Sequence, residues 1–283
     1  LYGIWALRRN KGMTGYAAII FLITALLFLP SCGKGRSGDS KAKQVITIAG
    51  STSVMPFTEK LAEHFMVDNP RRTVDVQSGG STAGIQAVMN NTVSIGMSSR
   101  ELKGNEKRLN RIIICYDGIS IVVNPRNPIT ALTLDQASRI FGGQIKNWRE
   151  LDWIDRKIDA VTREEGSGTR GSFEDLVMGK REIDDGIMVQ DSNGSVKEVV
   201  ATDPYAIGYI SLGLVDNRVK PLIIDGVMPS VETIKLGKYK IVRPFLYITN
   251  GELDEKSQRF VTFVLSKDGQ NILKKEGLIG FYD

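Results

Sequence analysis

From Gln44 onward the sequence alternates short β-branched runs with helical stretches of about 10–15 residues, and this alternation restricts the fold more than any other feature. "QVITIAG" reads as a strand and "PFTEKLAEHFMVDNP" as an amphipathic helix stopped at Pro70. "TVDVQSG", "VSIGMSS" and "IIICYDGISIVVN" read as strands, and "TAGIQAVMNN" as a helix. The same grammar continues through "TLDQASRIFGG", "KIDAV", "GSFEDLVM", "SVKEVVATDP" and "AIGYISLG", and one or two helices close the chain. An α/β fold with mostly parallel strands follows. Two long extended runs, 112–124 and 239–249, bracket the middle of the chain and suit strands that cross between two lobes.

The first 43 residues have a different character. "RRNK" precedes an apolar run of fourteen residues, Tyr16 to Leu29, interrupted only by Thr24. That is short for a bilayer-spanning helix, which needs about 20 residues, and suits the core of a signal peptide. The run ends in "LPSC", similar to a bacterial lipobox in which Cys32 would be lipidated; the alternative is an uncleaved anchor. "GKGRSGDSKAK" then has the composition of a flexible tether. The folded body is therefore expected outside the cytoplasmic membrane. With Cys32 lipidated, Cys115 in "IIICY" has no disulfide partner and is expected as a buried thiol.

A formal net charge of +5 invites a nucleic-acid reading, but its distribution does not support one. Residues 1–43 hold seven Lys and Arg against one Asp, leaving thirty basic and thirty-one acidic residues in the body. Phosphate-neutralising charge would have to sit on the folded part.

Four strand-to-helix turns share one composition: "AGSTSVMP" (49–56), "QSGGSTAG" (77–84), "GMSSREL" (96–102) and "EEGSGTRGS" (164–172). A Gly/Ser/Thr-rich turn opening a helix presents free N–H groups at the positive end of the helix dipole, with hydroxyls as further donors. Any one of them is an ordinary N-cap. Four at the carboxyl ends of strands point to a shared crevice for a small oxyanion.

Two enzyme readings fail on the residues. Gly166, Gly168 and Gly171 match G-x-G-x-x-G, with acids near Glu182 for a ribose. Glu164 and Glu165, however, would repel a pyrophosphate, and the body lies where nicotinamide cofactors are not supplied. For hydrolysis the sole histidine, His64, sits in a helix without a nucleophile beside it, and no G-x-S-x-G elbow occurs. Neither cysteine has a metal-site partner. No catalytic residue, cofactor or metal is expected.

The ordered set "AGSTSVMPFTEKLAEHF", "VQSGGSTAGIQAV", "IGMSSREL", "IFGGQIKNW", "TREEGSGTRGSFEDL" and "AIGYISLG" resembles the phosphate-binding proteins of the bacterial phosphate-specific ABC transporter, from about residue 45 to the end. The resemblance implies a two-lobed periplasmic-binding-protein-like (type II) fold with two hinge-crossing strands. It implies a monomer that binds inorganic phosphate and hands it to a membrane permease. The expected division is 1–43 leader and tether, 44–121 plus 246–283 first lobe, and 122–245 second lobe, hinged near 118–124 and 242–249.

Carried over by motif, the resemblance implies Thr52, Ser53, Ser81 and Ser99 as ligand donors from the first three turns. From the fourth it implies Arg163, Ser167, Gly168 and Thr169, with Glu165 orienting the arginine. The family's third turn usually ends in an aspartate that accepts a hydrogen bond from protonated phosphate; here Ser99 stands there. Asp117, in "YDGIS", is the candidate substitute acceptor. Sulfate, molybdate or tungstate remain alternative ligands, and a phosphate-ester hydrolase an alternative class.

Overall fold

The computed structural model describes residues 44–281. The leader, Cys32 and the tether lie outside these residues. Among the described residues, no helix is long and apolar enough to cross a membrane.

The chain runs β1 (Gln44–Gly50), α1 (Met55–Asp68), β2 (Arg72–Ser78), α2 (Ser81–Met89), β3 (Ile95–Ser98), β4 (Asn110–Val123) and β5 (Ala131–Leu132). It continues through α3 (Leu134–Phe141), β6 (Asp159–Arg163), α4 (Gly168–Phe173), β7 (Met188–Gln190), α5 (Asn193–Thr202) and β8 (Ala206–Ser211). The last elements are β9 (Lys220–Pro221), β10 (Ile223–Ile224), α6 (Val231–Lys235), β11 (Val242–Thr249), α7 (Glu255–Leu265) and α8 (Lys267–Lys275). The expected strands and helices are present. "GSFEDLVM" divides between the end of α4 and a π-helical turn, Glu174–Met178.

The main sheet has the order β2-β1-β3-β11-β4-β8-β6-β7, with β9 also on β4. β1 pairs in parallel with β2 and β3, and β6 in parallel with β8 and β7. β11 and β4 run antiparallel to their neighbours and join the two parallel groups. Those parallel groups follow from the strand–helix grammar, since a parallel pair needs a crossover.

Side-chain spacing decides which helix face is buried. In α1, Phe57, Leu61 and Phe65 recur every four residues and are buried with Thr58 and Ala62. In α2, Ser81, Gly84, Ile85 and Val88 form the inward stripe. Gly84 lets α2 lie almost on β1: a Cβ there would stand 2.5 Å from the Ala49 carbonyl oxygen.

Two large apolar cores occupy opposite ends of the sheet. One gathers Ile46, Ile48, Phe57, Leu61, Phe245, Tyr247 and Phe260. The other gathers Phe141, Trp148, Phe173, Ile207, Tyr209 and Leu222. β4 contributes Ile114 and Cys115 to the first and Ile119, Ile121 and Val123 to the second. Beside it, Phe245 and Tyr247 of β11 join the first core, whereas Ile241 and Val242 pack on the second. Both long extended runs therefore pass from one lobe to the other. Cys115 is a buried free thiol whose pKa burial pushes well up.

Candidate functional site

The four turns meet. Gly50 ends β1 at φ +141, a backbone that L side chains rarely adopt, and a Cβ there would stand 2.3 Å from the Met97 carbonyl oxygen. This close approach sets Ser51 beside the third turn, where its hydroxyl donates to Ser99 Oγ at 2.9 Å. Ser81 opens α2 and its Oγ accepts from the Ser99 amide at 3.1 Å. Ser51, Ser81 and Ser99 thus form one buried hydroxyl cluster on the first lobe.

From the second lobe comes the fourth turn. Gly168 lies against that cluster so closely that a Cβ would stand 2.1 Å from Ser81 Oγ and 2.6 Å from Ser99 Oγ. Thr169 Oγ1 shares a 2.7 Å hydrogen bond with Ser53 Oγ. The Thr82 amide donates to the Gly166 carbonyl at 3.1 Å. Ser167 is buried next to them, and its hydroxyl accepts from the Arg170 amide as the N-cap of α4.

Arg163, at the end of β6, is the charged member, and its side chain is 1% exposed. Its Nε and Nη2 each donate to one oxygen of Glu164 at 3.0 Å, a two-pronged contact. Nε also donates to the Gln190 carbonyl at 3.1 Å, and Nη2 to the Asp191 carbonyl at 2.8 Å and to Thr52 Oγ1 at 3.1 Å. Nη1 is buried and has no hydrogen-bond partner among the described residues. A buried unpaired donor costs on the order of 1–3 kcal/mol, more when charged. Such a group suits a site that supplies an acceptor from outside the chain.

The electrostatics agree with this geometry. Burial pushes the Arg163 pKa down and the Glu164 pKa up, and each is opposed by the charge of the other. Behind them, the Arg163 amide and Thr162 Oγ1 hydrogen-bond the Tyr209 hydroxyl, whose pKa burial pushes up to about 12. The Tyr209 ring stacks on Phe173 at 3.9 Å. This wall fixes β6 and hence the arginine. At the mouth, a cavity of about 280 Å³ is lined by Thr52, Ser78, Gly79, Glu164, Asp191 and Ser192.

Two expectations need correction. Glu165 does not orient Arg163: it is exposed at the turn, and its neighbour Glu164 holds the guanidinium. Asp117 is not free to accept a hydrogen bond from a ligand. It accepts from Ser211 Oγ, from the Gly213 amide and twice from Arg243, which uses the about four acceptor positions of a carboxylate.

The structure also adds Ser51 and Asn193, which sequence reasoning missed. Asn193 Nδ2 donates to Ser53 Oγ at 2.8 Å across the lobes. Its turn, "VQDSNGS", follows a strand and opens α5, so it is a fifth polar turn of the same kind. Its strand, β7, is only three residues long and has no periodicity to reveal it. His64 lies on the exposed face of α1.

Known proteins share this fold and much of this sequence. Residues 37–268 match the PBP superfamily domain. The phosphate-binding protein PstS of Bacillus subtilis is 35% identical over 252 residues, covering 87% of this chain and 84% of the relative. The PstS of Borreliella burgdorferi is 31% identical over 277 residues, covering 93% and 96%. A crystal structure from Clostridium perfringens, described as a phosphate ABC transporter substrate-binding protein with bound phosphate, is 40% identical with a TM-score of 0.81, covering 84% of this chain and 99% of that one. By fold and by sequence, the chain belongs to the PBP superfamily and, within it, to the PstS phosphate-binding proteins.

Proposed function

We propose that the protein binds inorganic phosphate outside the cytoplasmic membrane and delivers it to an ABC permease, without bond chemistry. The observation that carries this reading is Arg163 Nη1, a buried charged donor without a partner among the described residues, beside a cluster of hydroxyls from both lobes. An oxyanion accepted there would take charge-assisted bonds, about twice as strong as neutral ones. Thr52, Ser53, Ser81, Ser99 and Thr169 would solvate its other oxygens, with amides of the fourth turn around Ser167 and Gly168.

The lobes would be 44–121 plus 246–283 and 122–245, moving about the crossing strands near 118–124 and 242–249. Closure couples occupancy to shape, and a permease would recognise the closed form. The similarity to PstS proteins and the phosphate named in the Clostridium perfringens structure support the ligand. The leader sequence supports a lipid anchor at Cys32 that would hold the protein at the outer face of the membrane, and a monomer is what the family resemblance implies.

One observation favours a broader ligand set. The cluster that replaces the family aspartate is made of hydroxyls, which can donate to sulfate as well as accept from phosphate. Discrimination is therefore expected to be modest. Calorimetric titration of ligand-stripped protein with phosphate and then sulfate tests both points. Tight phosphate binding with measurable sulfate competition is expected; no heat with phosphate, or tighter binding of sulfate, contradicts the reading.

A further inference from the structure

Behind the hydroxyl cluster, where β4 and β11 cross between the lobes, Asp117 and Arg243 stand opposite each other in register. Their side chains are 0% and 1% exposed. Arg243 Nε and Nη2 donate to Asp117 Oδ2 at 3.2 and 3.0 Å. Burial pushes the aspartate pKa up and the arginine pKa down, and each is opposed by its partner. A buried pair of this kind is a poor stabiliser compared with packed apolar side chains. Its contribution must be sought in what it orients.

Two paths lead from the pair to the site. On one side, Arg243 Nη1 approaches the Ser99 carbonyl at 3.4 Å, the same oxygen that accepts from Ser172 Oγ at 3.0 Å. On the other, Ser211 Oγ donates to Asp117 Oδ1 at 2.9 Å. The Ser211 amide donates to Asn193 Oδ1 at 3.0 Å, and Asn193 Nδ2 then donates to Ser53 Oγ at 2.8 Å. The direction of this chain matters. With Oδ1 committed to an amide donor, Asn193 can present only its NH₂ to Ser53. Ser53 Oγ accepts from Asn193 and keeps its own proton, which it can give to an anion while Thr169 Oγ1, 2.7 Å away, fills its second acceptor position.

We propose that the Asp117–Arg243 ion pair is a positioning device for the anion site. It acts through Ser211 and Asn193 to occupy one acceptor position of Ser53 and keep its proton available to an anion, and through the Ser99 carbonyl to hold the third turn. The proposal rests on reading the site as a phosphate site.

The test uses the full chain, phosphate titration calorimetry and thermal unfolding. Asp117→Asn combined with Arg243→Gln removes both charges together, which avoids a lone buried charge. The expected result is a loss of phosphate affinity of about tenfold or more, the size expected from misdirected hydrogen bonds to a charged ligand. Adding Asn193→Ala to this double variant should then lose less than the product of the separate losses, because both act on Ser53. A merely structural role would give independent, multiplicative losses. Should the double variant not fold, Ser211→Ala cuts the path at a single hydroxyl and should show the same sub-multiplicative behaviour with Asn193→Ala. Multiplicative losses, or an affinity within about twofold of the parent in a folded variant, overturn the positioning role. A parent chain that does not bind phosphate overturns the site reading instead, so the two failures are told apart.

Discussion

Replacing Arg163 with alanine is expected to weaken phosphate binding by roughly a thousandfold, the consequence of removing one partner from a buried charged contact. The loss has two sources. The anion loses the Nη1 donor, and Glu164 loses the guanidinium that both its oxygens hold, which leaves a carboxylate beside the site. Lysine should recover little. Its single ammonium cannot serve Glu164, the Gln190 and Asp191 carbonyls and an anion together, as the planar fork of Arg163 does. Calorimetry on both variants checks this; alanine binding within about tenfold of the parent would remove Arg163 from the site.

Gly168→Ala is the second large effect. The added methyl would stand 2.1 Å from Ser81 Oγ and 2.6 Å from Ser99 Oγ, so these hydroxyls must turn away or the lobes must part. Overpacking of this kind costs about 1–3 kcal/mol, which here falls on the closed, ligand-holding arrangement and corresponds to roughly five- to 150-fold in affinity. Gly194→Ala is the control. Its methyl comes no nearer than 3.7 Å to Ser192 Oγ, and its affinity should stay close to the parent value. Equal affinities for all three chains would mean that the fourth turn does not close on the first lobe.

Much of this was legible in the sequence because the fold repeats one unit. Strand periodicity and helix spacing marked β1 to β4, and the four Gly/Ser/Thr turns fell where parallel strands end. What escaped was set by pairing across long sequence distances. Which glutamate faces Arg163 depends on the bend of the turn, and adjacent Glu164 and Glu165 are indistinguishable in a linear reading. Asp117 looked like an available acceptor because Arg243, its partner, is 126 residues away. Asn193 escaped because β7, the strand that introduces its turn, is too short to show a pattern.

On the proposed reading, an oxyanion sits on Arg163 Nη1 among the hydroxyls of four turns. Diffraction from crystals of the protein grown with phosphate tests it most directly. Tetrahedral density about 3 Å from Arg163 Nη1 and within hydrogen-bond reach of Ser53, Ser81, Ser99 and Thr169 is the expected result. Density elsewhere, with Nη1 paired to a protein group, would contradict it.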